Sequence, residues 1–279
     1  MSQRVRRTRA DRSRMHLISG RIRAERMADP LRRGIFLVPA TITSLGLLSG
    51  FYSMVSAVNG HFELAAVMII LAFFCDGLDG RVARISKTSS QFGVEYDSLC
   101  DVVAFGAAPA MLSYVWALKT IGSFGVAVSG LFLLCGALRL ARFNVQTATL
   151  DKRRFVGLPI PGAALLIATT ALAYSYFEFE SPRALCFVMV PITLALAWLM
   201  ISRVPYPSFK SMQLDKRARV ELVIAIIVAV AALFAIPQMT AFVLGAAYVL
   251  SGPYLMLRGE HLSAKFSVLH AVPAEKAES

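Results

Sequence analysis

Charge is what this chain has least of. Asp, Glu, Lys and Arg together make up 16% of it, against about a quarter in soluble domains. The deficit is sharpest for acids, which number 17 among 279 residues. A hydrophobic share of 57% and a mean hydropathy of +0.62 exclude an ordinary soluble domain and mark an integral membrane protein. Alternation of apolar and polar residues is also missing, so a membrane barrel is excluded and helices remain. The four cysteines, Cys75, Cys100, Cys135 and Cys186, lie in or beside apolar runs at spacings that suit neither a disulfide framework nor a zinc site. None of the four histidines (His16, His61, His261, His270) falls near an acidic cluster, which removes histidine ligation and a catalytic triad. No internal repeat is evident.

What is present is a series of apolar runs at about 37–58, 63–75, 98–118, 121–138, 158–177, 184–202, 220–236 and 239–257. Each is near the roughly 20 residues that a bilayer requires. The expected fold is therefore all-α, a polytopic membrane bundle of about eight transmembrane helices, with Pro237-Gln238 the narrow break between the last two. If residues 1–34 are a basic cytoplasmic tail, all of the 29 Lys and Arg except Lys119 and Arg183 fall on the inner side. This asymmetry satisfies the positive-inside rule with both termini cytoplasmic. The spans then form one membrane domain over 35–258, followed by a polar cytoplasmic tail over 259–279. Met15, Leu17, Ile18, Ile22 and Met27 among the arginines of the first tail suggest an interfacial helix that meets anionic lipid. The net charge of +12 is thus topological, and because the aromatics lie in the spans, nucleic acid is not an expected partner.

Against this background four aspartates stand out. Asp76 and Asp79 are three residues apart and Asp97 and Asp101 four apart, so each pair shares one helix face. The polar stretch from Arg84 to Gly93 reads as the turn between two spans, and an antiparallel hairpin would bring both pairs to one depth. An aspartate at mid-membrane costs roughly 2.5–3.5 kcal/mol, and carboxylates in contact repel one another. A divalent cation removes both costs. Oxygen ligands alone suit Mg²⁺, Mn²⁺ or Ca²⁺, with two ions for four carboxylates. Gly80 and Ala83 leave the helix surface beside Asp79 open to a phosphate or sugar, while Arg84 and Ser90 offer donors to phosphate. These features together suggest a diphosphate. A metal-coupled transporter is the alternative of another class, and it would be expected to show broken helices in matched halves.

The pattern Asp76-x2-Asp79-Gly80-x2-Ala83-Arg84-x8-Gly93-x3-Asp97-x3-Asp101 resembles, position for position, the signature of the CDP-alcohol phosphotransferase family. Three further segments are similar to its phosphatidylserine synthase branch: Leu138–Asn144, Gly157–Pro161 and Ser202–Lys210. The resemblance covers roughly 35–215. It implies a six-helix core, to which this chain adds two, and a metal-dependent transfer of phosphatidyl from CDP-diacylglycerol to serine with release of CMP. It also implies that Asp76, Asp79, Asp97 and Asp101 ligate two ions, Mg²⁺ or Mn²⁺, with Asp101 as the base. Gly80, Ala83, Arg84, Ser90 and Gly93 would contact CDP-diacylglycerol. One departure is that Pro39 is followed by Ala40 where the family often has asparagine, leaving Thr41 or Thr43 as a substitute. Arg139, Arg142 and Asn144 are candidates for the serine carboxylate, although Lys152-Arg153-Arg154 would suit glycerol 3-phosphate or inositol phosphate. The resemblance also suits a homodimer, while the Lys and Arg asymmetry puts the aspartates at the cytoplasmic face of the membrane, expected to be a bacterial inner membrane with an organellar one as the alternative.

Overall fold

The computed structural model describes residues 39–86, 91–149, 157–176, 182–204, 206 and 216–269, and all secondary structure among them is helical. The basic tail, Ser90, and Lys152-Arg153-Arg154 lie outside these residues. Helix α1 spans Pro39–Val58 and α2 Phe62–Ser86. Helix α3, Gln91–Trp116, is continuous but contains a π-helical stretch, Val102–Ala107. After a 3₁₀ turn at Leu118–Ile121 come α4, Ser123–Thr149, and α5, Ile160–Tyr176. Helices α6, Pro182–Ile201, α7, Lys216–Ala235, and α8, Pro237–Leu269, complete the described chain.

The expectation of eight spans is met in part. Among the described residues four rods are long and apolar enough to cross a membrane: Pro39–Val58, Gln91–Trp116, Ser123–Val145 and Pro237–Leu257. Three shorter apolar helices, Ile160–Tyr176, Leu185–Ile201 and Val223–Ala235, occupy the places of three other runs. The remaining run is the apolar first half of α2, whose second half carries Asp76, Asp79, Arg81 and Arg84. One boundary moves. The turn expected over Arg84–Gly93 is shorter, because α2 persists to Ser86 and α3 begins at Gln91. Helix α8 runs on to Leu269, its apolar stretch ending at Leu257.

Helix α5 is the hub, buried on nearly all sides from Ile160 to Ala173 and packed against α2, α3 and α8. Its sequence is apolar all round, as a central helix must be. Helix α4 pairs with α6, and α7 lies outside against α8. Phe187 and Phe234 are more than four-fifths exposed, giving the rim an apolar surface that suits lipid and would be costly in water.

Small residues set how closely the site-bearing helices approach. Gly46 and Gly50, four apart on α1, face α2 and α3 respectively. A Cβ at Gly46 would meet that of Cys75 at 3.4 Å, and one at Gly50 would lie 2.6 Å from the Ala104 backbone. This is the small-xxx-small packing of membrane helices, in which backbones meet through van der Waals contact. The π-helical stretch has an equally local origin. Pro109 has no N–H to offer one turn back and its ring crowds the preceding carbonyls; the widened turn relieves this, with the Ala108 N–H reaching Val103 O, five residues earlier.

Candidate active site

The aspartate hairpin closes as its spacing predicts, but not symmetrically. Carboxylate oxygens of Asp76, Asp97 and Asp101 all lie within 4.8 Å of one another. Asp79, 4% exposed, is held from the other side: Thr43 Oγ1 of α1 donates to its Oδ2 at 2.6 Å. The same hydroxyl lies 3.0 Å from Pro39 O, and its single proton favours the shorter, charge-assisted bond. All four aspartates line an open cleft of about 200 Å³ between α1, α2 and α3, floored by Ala104 and Phe105 of the π-helical stretch. Three convergent carboxylates with no nitrogen ligand fit a hard divalent cation such as Mg²⁺ or Mn²⁺.

Beside the carboxylates the helix surface is open. A Cβ at Gly77 or Gly80 would meet nothing within 4 Å, so a ligand can approach the α2 backbone there. Arg84 Nε donates to Gly80 O at 2.8 Å and the side chain remains exposed at the edge of this surface. Ala83 lies in the same turn of α2, and Gly93 in the first turn of α3.

The three candidate acceptor residues separate. Arg139 interacts electrostatically with Asp101, and its Nε is buried without a hydrogen-bond partner. Its guanidinium carbon lies 5.7 Å from the centre of the Phe143 ring. Arg142 instead donates to Ile201 O at 3.3 Å, tying α4 to the end of α6. Asn144 Nδ2 donates to Ser98 Oγ at 2.9 Å, fixing α4 to α3 one residue beyond Asp97. A charged buried Nε beside the carboxylates is the feature that invites a ligand anion.

Sequence reasoning missed the groups that bind this region together. Ser44 Oγ and Tyr96 Oη are 2.7 Å apart, joining α1 to α3. Gly157, at φ +87°, turns the chain so that its N–H donates to Val204 O at 2.9 Å, and the Leu158 N–H to Leu199 O at 3.0 Å. A side chain at 157 would meet Met200 O at 2.7 Å, so glycine is required for conformation and for space alike. Tyr206 then donates to Val249 O of α8 at 3.1 Å. Burial pushes its phenol up to about 12, so it stays protonated as that donor. The signal available in the sequence was the set of three segments around 138–144, 157–161 and 202–210, of which Arg142 and Gly157 meet the chain at Ile201 and Val204.

The CDP-alcohol phosphatidyltransferase family profile matches residues 36–201, more than half of the chain and all four aspartates. The chain belongs to the CDP-alcohol phosphatidyltransferase family. Relatives within it carry more specific names. A CDP-diacylglycerol–serine O-phosphatidyltransferase of Helicobacter pylori is 39% identical over 180 residues, 64% of this chain and 75% of that protein. The Bacillus subtilis protein of the same name is 32% identical over 178 residues, 62% of this chain and 91% of its own. An archaetidylserine synthase of Methanothermobacter thermautotrophicus is 36% identical over 190 residues, covering 67% of this chain and 76% of that protein.

Proposed function

We infer that this protein is a CDP-diacylglycerol–serine O-phosphatidyltransferase, an enzyme that moves the phosphatidyl group of CDP-diacylglycerol to the hydroxyl of L-serine and releases CMP. The observation that carries the reading is the family match across the aspartate hairpin, together with bacterial relatives that bear this name over three quarters or more of their length. The name of the archaeal relative also specifies a serine product, so the headgroup is common to these names while the lipid differs.

Asp76, Asp97 and Asp101 would hold divalent metal, with Asp79 beside them, in the two-ion arrangement of Mg²⁺ or Mn²⁺. Bound there, the cations supply Lewis-acid polarisation of the diphosphate and neutralise charge on the departing CMP. The open surface at Gly77 and Gly80 admits the diphosphate, with Arg84 and Gly93 as contacts in the structure and Ala83 and Ser90 as contacts by the resemblance of the motif. Asp101 receives the proton as the serine hydroxyl oxygen forms its bond to phosphorus and the bond from phosphorus to the CMP oxygen breaks. A base at hydrogen-bond distance is required because that hydroxyl is not ionised at neutral pH. Arg139 pairs with the serine carboxylate through its free Nε edge. Arg142 and Asn144 keep α4 in register with α6 and α3. The active site faces the cytoplasm of a bacterial inner membrane, both termini are on that side, and the enzyme works as a homodimer.

Purified protein given CDP-diacylglycerol and Mn²⁺ or Mg²⁺ should release CMP on addition of serine, and far less with glycerol 3-phosphate, inositol phosphate or no acceptor. Asp101→Asn should retain binding of CDP-diacylglycerol while losing about 100-fold or more in turnover. Stimulation by a phosphorylated acceptor instead would reassign the acceptor. No stimulation by any acceptor would sink the transferase reading and favour metal-coupled transport, tested as metal-dependent flux in liposomes.

A further inference from the structure

Two consecutive hydroxyls of α1 reach the two arms of the acidic hairpin in opposite senses. Thr43 Oγ1 has one proton, and its neighbours, Asp79 Oδ2 at 2.6 Å and Pro39 O at 3.0 Å, can only accept, so the proton goes to the carboxylate of α2. Ser44 Oγ lies 2.7 Å from Ala40 O of its own helix and 2.7 Å from the Tyr96 phenol of α3. A carbonyl cannot donate. Both contacts are satisfied together only when Ser44 gives its proton to Ala40 O and Tyr96 gives its own to Ser44. The bond therefore runs from α3 to α1. One turn earlier on α3 the Phe92 ring stacks on Tyr96, with centres 6.0 Å apart and planes within 4°, and supports the phenol from that side.

Where these contacts fall along the helices matters as much as their strength. On α2, Cys75 packs at Gly46 of α1 and Asp79 meets Thr43, with Asp76 between the two. On α3, Tyr96 meets Ser44 and Ala104 meets Gly50, with Asp97 and Asp101 between them. Helix α1 thus braces each arm on both sides of the carboxylates that converge. Its contact at Gly50 is fixed by backbone, since a Cβ there would lie 2.6 Å from the Ala104 Cα. The contact at Ser44 is one hydrogen bond, at the end of α3 nearer the turn from α2. Carboxylates that repel one another would spread there without it.

We propose that Ser44 and Tyr96 are positioning residues for the divalent cation: their hydrogen bond holds Asp97 and Asp101 at the separation from Asp76 that suits a small ion and disfavours a larger one. This rests on the metal reading of the cleft above and extends it from the ligands to the brace that spaces them. Mg²⁺ takes oxygen ligands at about 2.0–2.1 Å in near-ideal octahedra, whereas Ca²⁺ takes them at about 2.3–2.6 Å in looser shells, so discrimination depends on cavity size and rigidity. A brace that does not lengthen sets both. Neither Ser44 nor Tyr96 lines the cleft itself, so the effect passes through the spacing of α1 and α3.

Mn²⁺ binding to the purified full-length protein without substrates tests this, read from the electron paramagnetic resonance signal of the free ion, with Mg²⁺ and Ca²⁺ as competitors. Tyr96→Phe keeps the stacked ring and removes the donor, and Ser44→Ala removes the acceptor. Each should weaken Mg²⁺ binding about 3- to 10-fold, the scale of one neutral hydrogen bond, and Ca²⁺ binding by less than about 2-fold. The Mg²⁺ concentration for half-maximal CMP release should rise by the same factor as Mg²⁺ binding weakens. The double variant should do no more than either single one, because one bond is lost in all three. Tyr52→Phe, at an exposed phenol of the same helix, should change none of these. An unchanged ratio of Mg²⁺ to Ca²⁺ affinity in Tyr96→Phe overturns the proposal, as do multiplying effects in the double variant. Wild-type titrations that Asp97→Asn leaves unaltered overturn the metal reading itself, an outcome distinct from either.

Discussion

A hydroxyl from a neighbouring helix holds Asp79. Thr43 donates to it at 2.6 Å from α1, while the other three carboxylates gather among themselves. Without that donor, Asp79 would be a buried carboxylate beside three like charges, and its hydrogen bond to a charged group, worth about 1.5–3 kcal/mol, would be lost. Thr43→Val keeps the shape and removes the donor. The half-maximal Mn²⁺ concentration for CMP release should rise about 10- to 100-fold, the usual scale for a group that orients a metal ligand, and Thr43→Ser should restore it. An unaltered metal requirement in Thr43→Val would show that Asp79 holds its position unaided. From the sequence, Thr43 was visible only as a substitute for a missing asparagine, with Thr41 an equal candidate. The distinction between them depends on which face of α1 meets α2, which one helix alone does not define.

At the scale of the element, α3 matters most. Asp97 and Asp101 share a face because they are one turn apart, but the turn that follows is π-helical and changes the phase of everything after it. Ala104 thereby meets Gly50 of α1 with no space for a side chain between them. Gly50→Leu should force α1 and α3 apart, lowering the melting temperature in detergent through roughly 1–3 kcal/mol of overpacking and reducing turnover as Thr43 withdraws from Asp79. Retention of both stability and activity would mean that this contact does not hold the cleft. The acidic hairpin was legible from spacing alone, since helical periodicity is a local property. The widened turn was not: Pro109 signals a disturbance in the helix, but whether a kink, a break or a π turn results depends on the neighbours that pack against it.

For the whole molecule, the distribution of Lys and Arg makes a topological prediction. Lys119 sits in the exposed 3₁₀ turn between α3 and α4, on the side expected to be external by the distribution of basic residues along the sequence. A cysteine in place of Lys119, on a background lacking the four buried native cysteines, should react with an impermeant maleimide in intact cells. One in place of Lys276 should react only after the membrane is opened. The reverse pattern would invert the bundle and put the carboxylate cleft outside. The same global packing brings together three sequence segments that are well separated in the chain: Arg142 reaches Ile201, Gly157 reaches Val204, and Tyr206 reaches α8.

By itself the sequence determined the class of protein, the acidic hairpin and the family, because hydropathy, helical spacing and a strict motif are all written along the chain. Only the tertiary structure decided that three aspartates converge while the fourth answers to Thr43, that Arg139 and not Arg142 interacts with Asp101, and that the Tyr248 ring of α8 packs against Gly162 of α5. Those outcomes depend on how helices distant in sequence rotate and approach, and that is fixed by the small residues at their crossings, whose effect exists only once the partner helix is in place.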